Sequence, residues 1–502
     1  MIQKKIFNSI FSQVIYILVS AVVGLALVPI TIDMLGTMQY GVFELILSLI
    51  LIDVFLEFGL GSTLVKYIPE YKVDIERLKV FCWSYYYIKL VLSILGFLVI
   101  LFIGYHFNIF FNLDEVQDIE SIKIAVYLFG AGLIINGLVS FLDNFLRGFV
   151  YFGIANGIKT VSVLFFFFVY YVYYIQYDIL EYNIIHIVFI WFILRPIFSL
   201  VLHIVVLRYL DLSYLLKPVK FDYLIIQNTL RYMFGMTYIV MIAQFLNRAP
   251  KLILGMLTNP IYVAYWGIME KIKEPLLQLN SSLLRPLIPI LSDQTNITHV
   301  SEDKVFQASR LQYFLMSFLG IMVMVHIDLL IIVWLGEEFS SVSTIVKIMM
   351  ISFLFPSAGV FLMMYYAEGK TKINRIFTTL HTIISITLAI FVILATNDLI
   401  LFTVSFSVVA IFISYLSINT YLTYFKLNKV EFLKKSVLIP LQILIVYYAI
   451  ISYIQTLLSI DLMGLLISIC ISFILYAGLF FVFMKREDKV IILEMIKWKK
   501  NI

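Results

Sequence analysis

An arginine and a lysine three residues apart inside an apolar run carry the clearest chemistry in the sequence. Arg248 and Lys251 stand in the stretch QFLNRAPKLILG, with Gln244 four residues ahead of Arg248. Helical spacing gathers all three on one face. Pro250, between the two cations, removes a helical hydrogen bond and kinks the run. Neither cation has an acid at helical spacing. A second pattern follows in YWGIMEKIKEPLLQLNSSLLRPLIPILSD, where Glu270, Glu274, Gln278, Ser281 and Arg285 recur at steps of three or four and form a polar stripe. Lys271 and Lys273 flank one end of it. Glu270 with Lys273, and Lys271 with Glu274, are spaced to neutralise each other in part. Two chemistries fit these residues. Guanidinium and ammonium groups lining a watery cavity hold phosphates or acidic sugars through charge-assisted hydrogen bonds. The same residues also fit ion pairs buried between helices that touch no ligand.

Other polar residues in apolar surroundings are fewer. Asp53 and Glu57, one turn apart, suit a proton or sodium ion, and equally a structural pairing with basic loops. Asp143 and Arg147 are four apart and predict a simple salt bridge. Arg195 precedes Pro196 and is open to either reading. The six histidines show no catalytic or metal spacing, and Cys82 and Cys470 suggest neither a disulfide nor a metal site. No cofactor or metal is expected.

The elements that carry these residues follow from composition. Of 502 residues 62% are hydrophobic and 13% charged, against nearer half and a quarter in a soluble domain. The excess recurs as blocks of roughly 20 residues, each long enough to cross ~30 Å of hydrocarbon as a helix. Continuous apolar runs rule out barrel strands, which alternate. The fold class is all-α and polytopic, with fourteen spans expected near 7–30, 41–62, 80–104, 122–145, 154–176, 183–207, 232–257, 261–291, 311–334, 342–366, 373–395, 399–424, 437–458 and 462–484. The N-terminus resembles a signal peptide, but its apolar stretch runs to Pro29 without a cleavage site, so a retained helix is expected. Arg248 then lies about 24 Å along its span, past the midplane, where a cation facing lipid costs roughly 2.5–3.5 kcal/mol.

Basic residues test the count, because cytoplasmic connections are enriched in them. With the N-terminus inside, 27 of the 36 lysines and arginines fall at the termini and in even-numbered connections. Among these are Lys66, Lys72, Arg77 and Lys79, then Arg147 and Lys159, and later Lys304 and Arg310. The odd-numbered connections hold none in their cores, and several are acidic, such as Asp114, Glu115, Asp118 and Glu120. Both termini are expected in the cytoplasm. The longest odd-numbered loop, near 105–121, is too small for a catalytic domain, and no ATP-binding motif occurs.

Four stretches are similar to a known family. They are VPITIDMLGTMQYGVFEL at 28–45, FLEFGLGSTLVKYIPEY at 55–71, KLILGMLTNPIYVAYWGIMEKI at 251–272 with RPLIPILSD at 285–293, and IIVWLGEEFSSV at 331–342. In order and spacing they resemble the polysaccharide transporter (O-antigen flippase) family of the multidrug/oligosaccharidyl-lipid/polysaccharide exporter superfamily. One departure is Pro250, which stands where many relatives carry an acid. The resemblance implies an N-terminal six-helix bundle over 1–210, a second over 211–425, and two further helices with a basic cytoplasmic tail over 426–502. The segment Met34–Gly41 also echoes Met256–Val263, a weak internal repeat.

The implied activity is transfer of an undecaprenyl-diphosphate-linked oligosaccharide, an O-antigen or capsule precursor, across a bacterial inner membrane by alternating access. Arg248, Lys251, Lys271, Lys273 and Arg285, with Gln244, Glu270, Glu274 and Gln278, are the expected cavity residues. Asp53 and Glu57 are the expected ion-coupling pair. A polysaccharide polymerase and chain-length machinery are candidate partners, and nucleic acid is not. An ion-coupled multidrug antiporter and a membrane-embedded assembly enzyme are the competing readings.

Overall fold

The computed structural model describes residues 2–57, 59–113, 116, 118–176, 182–213, 217–284, 302–368, 370–457 and 461–483. Among the described residues every long element is a helix and no strand occurs. Apolar blocks without water must satisfy their own backbone polar groups, and a helix does so within one segment. Arg285 and the basic residues after Phe483 lie outside the described residues.

The chain divides into two compact units, Met1–Gly267 and Ile268–Ile502. The first holds α1 (Ile2–Ser48), α2 (Leu51–Glu57), α3 (Leu60–Tyr71), α4 (Ile75–Tyr105), α5 (Ile119–Gly148), α6 (Phe152–Gln176), α7 (Ile184–Tyr209) and α8 (Tyr223–Leu257). It also holds the start of α9 (Pro260–Leu284). The second continues α9 and adds α10 (Glu302–Leu335), α11 (Ser340–Ile351), α12 (Gly359–Ala367), α13 (Lys372–Thr396), α14 (Leu399–Tyr424), α15 (Lys429–Thr456) and α16 (Leu462–Phe483).

Among the described residues ten helices are long and apolar enough to cross a membrane, and an eleventh counts if the bent α11–α12 pair is one span. The first of these reaches 47 residues, about 70 Å at helical rise and more than two hydrocarbon thicknesses. Gly36, at φ 74°, breaks α1 within it, in a backbone region that suits glycine alone. The α8 and α9 helices, 35 and 25 residues long, stand outside this set and carry the two polar patterns of the sequence.

Local chemistry sets the helix ends. Asp74, Asn183, Asp222, Asp398 and Asn428 each accept a backbone N–H of the helix that follows, the usual N-cap arrangement. Asp118 does the same for Ser121 at the start of α5, and those bonds hold its carboxyl below the ordinary aspartate range. These caps start α4 and α8 earlier than hydropathy alone suggests. The basic stretch after the second expected span is mostly helical, with Lys66 in α3, Lys72 in the turn that follows, and Arg77 and Lys79 in α4. The single span expected over 342–366 is bent by 56°, because Phe355 ahead of Pro356 is extended. Arg310, expected in a connection, is buried inside α10 and donates to the Lys435 backbone oxygen at 2.9 Å. Lys159, likewise, lies within α6.

In the second unit, α15 and α16 pack on α10 through Phe314, Phe318, Tyr447 and Tyr476. His326 of α10 meets Ser468 of α16 at 2.8 Å.

Candidate functional site

Within the first unit, the break at Gly36 turns the second half of α1 back toward α8 and the start of α9. Tyr40 and Glu44 stand one turn apart on that half. A Cβ on Gly41 would sit 1.9 Å from the Pro260 carbonyl oxygen, so only glycine admits this approach. The two segments that echo each other, at 34–41 and 256–263, therefore each span a helix break and pack against one another here.

Lys251 closes the contact. Its Nζ lies 2.6 Å from Glu44 Oε2, with side-chain exposures of 2% and 0%, and the Tyr40 hydroxyl donates to Glu44 Oε1 at 3.0 Å. The sequence pattern set Lys251 toward water beside Arg248. The structure corrects this: Lys251, about 60° around the helix from Arg248, is aimed at α1, while Gln244 and Arg248 are half-buried on α8. Two charges out of water are tolerated only when paired and hydrogen-bonded, and here they are. Glu44 escaped the sequence reading. Its signal was a lone carboxylate in the apolar run VFELILSL, and its partner lies 207 residues away.

Asp53 and Glu57 fall in a second polar region of the same unit. Asp53 accepts from Lys89 at 2.9 Å, both largely buried. Glu57 lines a small polar niche with Lys89, Ser140 and Asn144. The ammonium of Lys89 already occupies the place beside Asp53 that a monovalent cation would take. Asp143 forms the expected bridge to Arg147 at 2.9 Å and a second, unforeseen one to Lys159 at 2.9 Å. Arg147 also donates to Asn156. Arg195 lies over the Phe166 ring, 5.4 Å from its centre, next to a π-helical turn at Ile190–Leu194 where Pro196 lacks an N–H.

In the second unit, Glu270 is buried, Lys271, Lys273 and Glu274 are half-buried, and Gln278 is exposed. The stripe thus opens progressively along α9. Further on, Gln312 of α10 donates to Asn280 and to Ser357, at 3.2 and 2.8 Å, a polar junction the sequence did not reveal. Among the described residues no group of three or more metal-ligating side chains occurs.

This polytopic helical fold is similar to those of solved membrane transporters. The lipid II flippase MurJ, in an inward closed conformation, superposes with a TM-score of 0.67 at 16% identity, covering 93% of this chain and 97% of that one. An inward-facing multidrug resistance MATE transporter of the MOP superfamily gives 0.62 at 14% identity, covering 82% and 94%. A MOP superfamily transporter from Pyrococcus furiosus, noted for the reverse polarity of its binding pocket, gives 0.53 at 11%, covering 84% and 96%. No curated protein matches the sequence. The chain belongs to the polysaccharide biosynthesis protein family, which matches residues 6–295.

Proposed function

We propose that the protein is a flippase for an undecaprenyl-diphosphate-linked oligosaccharide, an O-antigen or capsule repeat unit. In this reading it spans the bacterial inner membrane fourteen times with both termini cytoplasmic. It moves its substrate from the cytoplasmic to the periplasmic leaflet by alternating access. The family membership over residues 6–295 carries the proposal, and likeness in fold to a lipid II flippase supports it. A polyprenyl diphosphate sugar has an anionic head that cannot cross hydrocarbon unaided and a tail that stays in lipid. Arg248, Lys271, Lys273 and Arg285 attract that head through charge-assisted hydrogen bonds. Gln244, Glu270, Glu274 and Gln278 set its orientation, and Lys251, held by Glu44, keeps α8 in register. Asp53 and Glu57 are the proposed coupling site, with Lys89 as their counter-charge, which favours a proton over a sodium ion. Polymerase and chain-length proteins are the proposed partners.

The test is depletion in the host. Loss of surface polymer, with intact lipid-linked repeat units accumulating on the cytoplasmic side, supports the flippase. Persistent polymer with altered drug efflux favours an ion-coupled multidrug antiporter. Unpolymerised units at the surface favour an assembly enzyme.

A further inference from the structure

A crevice of about 310 Å³ opens in the first unit between α4, α5 and α7. Trp83, Tyr86, Phe141, Phe145, Leu200 and Ile204 form most of its wall, and the Cys82 thiol completes it. No lining side chain is charged. The volume is at the low end for a small-molecule site and suits one hydrocarbon chain better than a whole lipid. The helices around it carry outward apolar residues, among them Val91 and Leu98 of α4 and Val201 and Val205 of α7, from 52 to 57% exposed. In a membrane such faces meet acyl chains, so hydrocarbon surrounds the helices that form the crevice.

The crevice also has a polar rim. It sits near the start of α4 and the ends of α5 and α7, where the chain beyond α7 returns across α4. The Tyr87 hydroxyl donates to the Val219 backbone oxygen at 3.1 Å, and the Asp222 backbone N–H donates to Ser84 at 2.9 Å. These bonds tie residues 219–222 to the same helical turns that supply Trp83 and Tyr86. Lys217 and Lys220, either side of Val219, are both exposed. Trp83, Tyr86 and Tyr87 cluster at ring separations of 4.9 to 6.0 Å, the kind of aromatic group that settles at headgroup level.

We propose that this crevice holds one acyl chain of an anionic phospholipid, with its phosphate between Lys217 and Lys220. The chain-sized apolar volume, its aromatic wall and the exposed Lys217 and Lys220, on a segment tethered to the same helical turns, match the chemistry of such a lipid's tail, interface and headgroup.

Full-length protein in vesicles containing phosphatidylglycerol with brominated acyl chains tests this, because bromine quenches nearby tryptophan. The quenching that vanishes in Trp83→Phe reports this crevice. That component should favour phosphatidylglycerol over equally brominated phosphatidylcholine by roughly fivefold in apparent affinity per lysine. Lys217→Gln with Lys220→Gln should abolish the preference. Ile204→Phe, which fills the crevice, should remove the component for both lipids, and lipids retained in native mass spectrometry should fall in parallel if that variant folds. Equal quenching by both lipids, or a preference that survives loss of both lysines, would overturn the proposal. Displacement by a trace of undecaprenyl phosphate that phosphatidylglycerol cannot reverse would overturn it too, assigning the crevice to the polyprenyl chain.

Discussion

Replacing Lys251 with methionine probes the contact between the two halves of the repeated motif. The substitution keeps the volume and removes the charge, leaving the Glu44 carboxylate at 0% exposure without the ammonium 2.6 Å away. Breaking a buried ion pair from one side costs about 3–5 kcal/mol, or about 6–10 °C in unfolding midpoint for a unit of this size. Adding Glu44→Gln removes the stranded charge and lets Tyr40 donate to a neutral amide. The double variant should therefore recover most of the loss, since apolar or neutral replacements of buried pairs are often nearly neutral. Detergent-solubilised protein followed by tryptophan emission gives the midpoints, and buried Trp266 of the adjoining α9 reports locally. A double variant as unstable as the sum of the singles would refute the reasoning, because it would mean the two groups do not stabilise each other. A Lys251→Met protein with an unchanged midpoint and no export would refute it as well, returning the lysine to direct substrate contact.

Other outcomes follow from the same physics. Gly41→Ala, a change that stabilises by about 0.5–1 kcal/mol at an open helical site, should instead block the approach of α1 to Pro260 and lower the midpoint. Lys89→Met should destabilise by about 3 kcal/mol at neutral pH by stranding Asp53, and Asp53→Asn in the same protein should restore most of it, read by the same unfolding assay. Asp118 is depressed in the folded state, so its stabilisation is complete above the ordinary aspartate pKa of about 3.9 and fades as pH falls through the folded value. Asp118→Asn should keep the cap and flatten that acid limb. Arg248→Gln should reduce export of lipid-linked repeat units with little change in midpoint, and an unimpaired rate would remove Arg248 from the proposed cavity.

The helical class, the order of apolar segments and the motif positions were legible because hydropathy and the Leu-Gly and aromatic-Gly signatures are local. Local patterns also revealed Asp143 with Arg147, four residues apart on one helix. What they missed was pairing at long range. Lys251 has no acid at helical spacing, so nothing nearby announced Glu44. Asp53 was open to an ion or to a basic partner, and the Lys89 that pairs with it, on a different helix, is invisible to spacing. Backbone breaks were half legible: Pro356 explains the bend between α11 and α12, yet a 25-residue apolar window there reads as one straight span. Helix starts were misplaced where hydropathy outvoted a capping aspartate, as at Asp74 and Asp222.

The packing of α15 and α16 on α10 has a consequence for biogenesis. His326 finds Ser468 142 residues further along the chain, which at 5–20 residues per second takes about 7–28 s to synthesise. Throughout that interval Phe314, Phe318 and an imidazole wait inside the bilayer without their final neighbours. A temporary companion, whether lipid or an insertion factor, must shield that face until the last hairpin arrives. Ribosome-stalled chains ending before residue 462 should therefore crosslink from Phe318 to such a companion, and chains carrying the complete hairpin should release it.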